Sequence, residues 1–130
     1  MKQSILTIAV FITLITASFT SLAVDNEKRN AVSRELASIL IKLEFYPNFS
    51  ERQFLKNVTS DESATEHQRT IAASLMNFQH RPLHSDLAKL ETILNDETAS
   101  TSEQEMAYII HRLKYKPTKA DKIILKRILQ

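Results

Sequence analysis

The residues best suited to metal or acid-base chemistry in this chain are its histidines and carboxylates. The four histidines are His67, His80, His84 and His111. His80 and His84 have the four-residue spacing of two metal ligands, and Asp86 would supply a carboxylate nearby. Pro82 lies between the two histidines and breaks the helical face that they would have to share. We therefore interpret His80 as a packing ring at a turn, and a helical metal-dependent hydrolase that uses His80, His84 and Asp86 is the alternative.

Two residue types are missing from the sequence, and their absence removes many kinds of active site. The chain has no cysteine, which excludes disulfides, thiol catalysis and thiolate metal sites. It has no glycine, on which phosphate-binding loops, dinucleotide fingerprints and nucleophile elbows depend. Serines and carboxylates are numerous, but no motif joins a nucleophile to a base and an oxyanion donor. We predict a protein that is not an enzyme and that has no cofactor and no metal.

The three prolines predict a repeated structure. Pro47, Pro82 and Pro117 are 35 residues apart, and the sequence around each can be aligned on the proline. Apolar residues recur eleven, seven and four positions before each proline, as on one face of a helix, and again eight and eleven positions after it. In chain order they are Leu36, Leu40, Leu43, Leu55, Val58, Ile71, Leu75, Phe78, Leu90, Ile93, Met106, Ile110, Leu113, Leu125 and Ile128. Each unit is therefore predicted to be a helix, a proline turn and a second helix, as in stacked helical hairpins.

Proline also predicts where helices end. It disfavours helical geometry in the residue before it, so the first helix of each unit is expected to end near Tyr46, Arg81 or Lys116. The predicted helices cover 27–45, 49–58, 64–80, 85–95, 102–115 and 119–129, in units of about 24–59, 60–95 and 96–130. We thus predict an all-α fold: three helix-turn-helix hairpin repeats of period 35 in one domain, 24–130, arranged as an α-solenoid-like stack or a compact six-helix bundle.

Capping residues support the predicted helix starts. A capping box places a polar N-cap residue three positions before an acidic or amide side chain. The pairs with this spacing are Asn48 with Glu51, Ser102 with Glu105, and Thr118 with Asp121. Leu83 follows the middle proline and cannot cap, so Ser85 or Asp86 is expected to begin that helix after a longer turn.

The first 23 residues have the order of a secretory signal peptide. Lys2 precedes an apolar run over 5–19, and Ser21-Leu22-Ala23 has the small-residue pattern that predicts cleavage after Ala23. The alternative is an uncleaved membrane anchor, but the run is shorter than the roughly 20 apolar residues that span a bilayer. A small exported domain without cysteine is more typical of the bacterial periplasm than of a eukaryotic secretory route. We therefore predict a bacterial protein that is periplasmic or secreted and has no membrane span in its mature form.

Charge is distributed unevenly along the chain. Residues 24–59 carry six basic and five acidic side chains, 60–105 carry three and nine, and 106–130 carry seven and one. The basic last hairpin predicts a contact surface for an acidic protein, anionic lipid or cell-wall polymer, whereas nucleic acid is a poor partner for an exported protein. The predicted partner-binding residues are Tyr115, Lys116, Lys119, Lys122, Lys126 and Arg127. The alternative is a solvated face that keeps a small protein soluble.

The last predicted helix also has a wide apolar arc, because Ile123 adds to the stripe residues Leu125 and Ile128. In an open stack this arc would be uncovered, since terminal repeats normally need a polar capping helix. A second copy of the chain is therefore another candidate partner, through the C-terminal helix.

These features combine into one functional hypothesis. We predict a non-enzymatic helical-repeat protein that acts as a protein–protein interaction module in the cell envelope. A small inhibitor or immunity-type protein of an envelope enzyme is an alternative within the same class. The metal-dependent hydrolase is the alternative of a different class.

Overall fold

The computed structural model describes the backbone from Lys2 and the side chains from Leu22 to the C-terminus. Over that range the chain forms six helices and no strand, which confirms the predicted all-α class. The helices are α1 (Lys2–Lys42), α2 (Phe49–Ser60), α3 (Glu66–Met76), α4 (His84–Leu94), α5 (Thr101–His111) and α6 (Lys119–Leu129). The predicted signal peptide, 1–23, lies outside the described side chains except for its last two residues.

The first helix of each hairpin ends earlier than predicted. Helices α1, α3 and α5 stop three or four residues before the predicted ends at 45, 80 and 115, although the prolines do lie in the turns. The reason is the residue two positions before each proline, which has a positive φ: 67° at Phe45, 66° at His80 and 65° at Tyr115. A left-handed residue cannot continue a right-handed helix, so each helix stops before it.

Capping boxes begin four of the helices formed by residues 22–130. The N-cap and N3 pairs are Asn48 with Glu51, Thr65 with Gln68, Ser100 with Glu103, and Thr118 with Asp121. The first and last of these confirm the prediction. The predicted box of Ser102 with Glu105 is wrong, because Ser100 caps α5 two residues earlier.

Helix α4 begins without a side-chain cap. Its first residue is His84, so the predicted starts at Ser85 and Asp86 are wrong. Leu83 occupies the N-cap position with an extended backbone, and its side chain accepts no hydrogen bond. The amide of Asp86 donates to the carbonyl of Leu83 at 3.0 Å, which begins the helix through the backbone alone. The middle helix therefore begins two residues after its proline, as the other two do, and its turn is not longer.

A closed ring of backbone hydrogen bonds joins the three proline turns. The amide of Phe45 donates to the carbonyl of Tyr115 at 3.0 Å, and the amide of Tyr115 donates to His80 at 2.7 Å. The amide of His80 completes the ring by donating to Phe45 at 2.8 Å. The three aromatic rings pack edge to face, with centroids 5.4 to 5.7 Å apart. The ring thus holds the C-terminal ends of α1, α3 and α5 together at one end of the molecule.

The six helices form a closed bundle and not an open stack. Helices α1, α3 and α5 contact one another at the centre, and α2, α4 and α6 pack mainly on α3, α5 and α1 respectively. The contact between α6 and α1 joins the last hairpin to the first. The predicted stripe residues lie in one core, with Ile128 only partly buried at its edge. Of the arc of α6 that an open stack would expose, Leu125 is therefore buried and Ile128 partly buried, whereas Ile123 stays exposed.

The left-handed geometry at Phe45 should reverse the usual ranking of alanine and glycine. We predict that the free energy of unfolding of Phe45→Gly is about 1 kcal/mol higher than that of Phe45→Ala, because glycine adopts a positive φ without steric cost. Urea denaturation measures both values. At Ala88, an exposed position inside α4, Ala88→Gly is the control and is expected to lose about 1 kcal/mol. Equal stability of the two Phe45 variants would contradict a left-handed turn in solution.

Candidate binding surface

Three of the predicted binding residues follow one exposed face of α6. Lys119, Lys122 and Lys126 are spaced three and four residues apart, so they lie on the same side of the helix, and all three are exposed. Ile123 lies among them and is 66% exposed. On the opposite side, Leu125 is fully buried. Helix α6 therefore has an apolar side in the core and a basic side with one apolar residue at its centre.

The positive charge of this face is not neutralised within the bundle. Among residues 22–130, no ion pair includes a lysine of the segment 114–126. Asp121, the acidic residue of α6, is buried and paired with Arg112. Arg127 is the predicted residue that is paired, since its Nη2 lies 3.0 Å from Oε1 of Glu105 on α5. That pair is exposed and contributes at most about 1 kcal/mol, so it orients Arg127 without removing it from the surface.

Tyr115 and Lys116 lie at the turn end of the same hairpin. The Tyr115 ring is 53% exposed and packs against Phe45 and His80, each with a centroid distance of 5.7 Å. Lys116 is exposed, and its amide donates to the Lys114 carbonyl at 2.7 Å. The structure thus places all six predicted binding residues on the last hairpin surface, with Tyr115 also part of the junction of the three turns.

Two residues of the alternative metal site, His80 and Asp86, make structural contacts. His80 is a packing ring, in contact with the aromatic side chains of the other two turns. Asp86 is buried in the first turn of α4, where its Oδ2 accepts a hydrogen bond from Asn77 Nδ2 at 3.4 Å. His84 is exposed at the first position of α4. In the part of the chain with described side chains, no three histidine, aspartate or glutamate residues are grouped to hold a metal ion.

A polar cluster that the sequence analysis missed lies at the other end of the bundle. His67 stands between two carboxylates, with Nε2 at 2.9 Å from Asp96 Oδ2 and Nδ1 at 3.1 Å from Glu103 Oε2. Thr65 donates its hydroxyl to the other oxygen of Glu103 at 3.0 Å. His67 therefore joins α3 to α5 and to the loop before α5, and both of its nitrogens are used in doing so.

The cluster continues to α1 through Gln68. Its Nε2 donates to Ser33 Oγ at 2.9 Å and to the Arg29 carbonyl at 2.7 Å. These residues border a polar pocket of about 640 Å³ where α1, α3 and α5 converge. Ser33, Gln68 and Glu103 are buried, and each stands fourteen residues before a proline, in register with the apolar stripe. A polar residue in the register of the core is the sequence signal for this cluster.

Two aspartates fix the loops that lead into this end of the bundle. Asp96 Oδ1 accepts bonds from the hydroxyl and the amide of Thr98, at 2.7 and 2.9 Å, and these bonds together with His67 lower the pKa of Asp96 to about 2. Ser63 makes the same two bonds to Asp61, at 2.6 and 2.9 Å, and with Lys28 it lowers the pKa of Asp61. Both carboxylates are therefore ionised structural acceptors in the loops before α3 and α5.

Comparison of the chain with models of protein families, with curated proteins and with solved structures found no match. No helix within the described residues is both long enough and apolar enough to cross a membrane. Function is therefore inferred from the surfaces of the chain itself.

Removing the Thr98 hydroxyl tests the cause of the low pKa at Asp96. Thr98→Val is expected to raise the pKa of Asp96 from about 2 toward its ordinary value of 3.8, because the strongest hydrogen bond to the carboxylate is lost. Carboxyl NMR titration measures the shift. Because the folded-state pKa is the lower one, Asp96 stabilises the fold above its ordinary pKa, and this stabilisation is lost as the pH falls toward 2.

The free energy of unfolding should accordingly fall less steeply in Thr98→Val than in the wild type as the pH is lowered toward 2. Thr92→Val is the matched control, since the Thr92 hydroxyl bonds only the Ala88 carbonyl on α4, at 3.0 Å. An unchanged pKa of Asp96 in Thr98→Val, or an equal shift in the control, would contradict the assignment.

Proposed function

We propose that this protein is an exported, non-enzymatic helical-repeat protein that binds a partner protein in the bacterial cell envelope, in the periplasm or after secretion. The observation that carries the proposal is the basic face of α6. There Lys119, Lys122 and Lys126 surround the exposed Ile123 and make no ion pair with the rest of residues 22–130. A cationic face with an apolar centre is complementary to an acidic protein surface. No cofactor or metal is proposed.

The proposed repeat has a period of 35 residues over the units 24–59, 60–95 and 96–130. It is supported by the equal geometry of the three turns, each with a positive φ two residues before the proline and a helix start two residues after it. In such a repeat the buried positions build the same frame in every unit. The last unit differs in its surface, which carries the basic face of α6, and we propose that the partner binds there.

The way in which the histidines are used supports binding over catalysis. A catalytic histidine needs a nitrogen that can reach a substrate in a cleft. His67 has both nitrogens next to carboxylates, and the exposed His80 packs edge to face against Phe45 and Tyr115. His111 Nε2 lies 3.0 Å from Glu91 Oε1, which ties α5 to α4. Three of the four histidines thus have structural partners.

Export is proposed from the first 23 residues and from the position at which the bundle begins. Residues 22–31 of α1 are all exposed, and among the residues with described side chains the first buried one is Ser33. Every core residue of the described bundle lies at position 32 or beyond. Cleavage after Ala23 would therefore leave the core complete.

Processing of the N-terminus gives a direct test of export. We predict that the protein recovered from the envelope fraction begins at Val24, as measured by mass spectrometry of the intact chain. Ala23→Tyr places a large residue at the cleavage position and is expected to leave the chain uncut. Recovery of the wild-type chain with its first 23 residues attached would support the membrane anchor instead.

Charge reversal on α6 tests the binding surface. The triple variant Lys119→Glu, Lys122→Glu and Lys126→Glu is expected to lose envelope partners in a pull-down at low salt. The wild type should lose the same partners as salt is raised, because exposed charges are screened. All three side chains are exposed, so the free energy of unfolding should change by no more than about 1 kcal/mol.

A matched control separates the position of the charges from their number. Arg34→Glu, Lys56→Glu and Lys89→Glu together change the net charge equally, at exposed positions on α1, α2 and α4. This control should keep the partners. Retention of partners by the α6 variant, or equal loss in both variants, would contradict the proposed surface.

A further inference from the structure

The turn end of the bundle has an exposed apolar surface that the face of α6 does not include. Its members, here called the aromatic plate, are Phe45, Tyr46, Phe49, Leu83 and Tyr115. Phe49 is 78% exposed, and the other four are exposed by 46 to 57%. All five belong to the proline turns or to the first position after them, and the closed ring of backbone bonds holds these turns together. Large apolar side chains gathered on one surface are typical of a binding site.

Three of the five residues of the aromatic plate, Phe45, Tyr46 and Tyr115, are held by their neighbours. Phe45 and Tyr115 belong to the closed ring of backbone bonds and pack edge to face, with ring centroids 5.7 Å apart. The guanidinium of Arg52 lies 5.7 Å from the centre of the Tyr46 ring, and its Nε donates to the Pro47 carbonyl at 3.2 Å. Aromatic side chains that are already fixed lose little conformational entropy on binding, which is a property of residues that dominate interfaces.

Positive charge surrounds the aromatic plate. The exposed basic residues of the three turns and the adjoining helix starts are Arg52, Arg81, Lys114, Lys116 and Lys119. The acidic residues of the same turns and helix starts are Glu44, Glu51, Asp86 and Asp121. Glu51 and Asp121 accept hydrogen bonds from the N-cap amides of their helices, and Asp86 and Asp121 are buried, so Glu44 is the one exposed carboxylate there without a cap role. A partner that covers this end must therefore offer apolar groups together with negative charge.

Lys116 and Lys119 connect the aromatic plate to the basic face of α6. From Lys119 to Lys126 the helix runs about 10 Å away from the plate, because each residue advances about 1.5 Å. The combined surface therefore turns a corner, from an aromatic end to a basic side. A segment of polypeptide can follow that corner, whereas a flat lipid surface meets the end or the side but not both.

We propose that the partner binds through an acidic segment of chain, whose apolar residues dock on the aromatic plate and whose carboxylates follow Lys119, Lys122 and Lys126 along α6. This inference rests on the proposed function, since it uses the same basic face, and it adds the chemical class of the partner. The plate supplies the anchor, and the row of lysines sets the direction of the bound segment.

Selection of a random peptide library on the purified protein tests the inference. The enriched sequences are expected to combine a cluster of apolar residues with several aspartates or glutamates on one side of it. A synthetic peptide of that kind should bind about tenfold or more weakly to Phe49→Ala and to Leu83→Ala. Leu129→Ala removes the same atoms as Leu83→Ala from an exposed position at the far end of α6, and it should bind like the wild type. Thermal unfolding checks that the variants remain folded.

The outcomes separate the aromatic plate from the proposed function. Binding that depends on Lys119, Lys122 and Lys126 but not on Phe49 or Leu83 overturns the role of the plate and leaves the proposed function standing. Failure to enrich any acidic peptide, while partners in the pull-down still depend on Lys119, Lys122 and Lys126, overturns the inference and leaves the proposed function standing. Tighter binding to phosphatidylglycerol vesicles than to any selected peptide overturns the inference in favour of lipid. Self-association that the peptide does not displace but Phe49→Ala abolishes overturns it in favour of a second copy.

Discussion

The closed ring of hydrogen bonds among the three turns is the constraint on which the rest of the bundle depends. A chain without glycine has placed Phe45, His80 and Tyr115 in the left-handed region, at a cost of the order of 1 kcal/mol or more for each residue. Such a conformation persists only where its surroundings determine it. Here each of the three residues donates one backbone bond to the next and contacts both of the other rings. The three strained residues therefore form the ring of hydrogen bonds, and this ring holds α1, α3 and α5 together.

Closure of the bundle follows from this ring of hydrogen bonds. With the ends of the inner helices held at one point, each outer helix packs mainly on the inner helix of the next hairpin, and α6 packs on α1. No hairpin is terminal, so none needs the polar capping helix that an open stack requires. Helix α6 can bury Leu125 completely while its other side stays free for lysines. The fold thus makes the basic face available without leaving the core uncovered.

Periodicity and capping chemistry predict the helices and the core, because the buried stripe is repeated at helical spacing and two of the capping boxes directly follow a proline. The same local patterns cannot show closure, since the apolar stripes have the same helical spacing in a hairpin stack and in a ring. The left-handed turns were missed because bulky residues such as Phe45 and Tyr115 rarely adopt a positive φ, and the bonds that hold them come from distant turns. The basic face could be located from charge alone, whereas the His67 cluster depends on three segments that meet only in the folded chain.

Equivalent positions on the three outer helices show how one frame can carry different surfaces. Two, five and nine residues after the proline, α6 has Lys119, Lys122 and Lys126. At the same places α2 has Phe49, Arg52 and Lys56, and α4 has His84, Leu87 and Glu91. Eight residues after the proline all three have leucine, and each of these leucines is fully buried. A position that only supports the bundle is under the same physical demand in every hairpin, so its residue type is the same. Positions whose residues differ face no such common demand, and in α2 and α6 they supply an exposed aromatic ring, Phe49, and a row of exposed lysines.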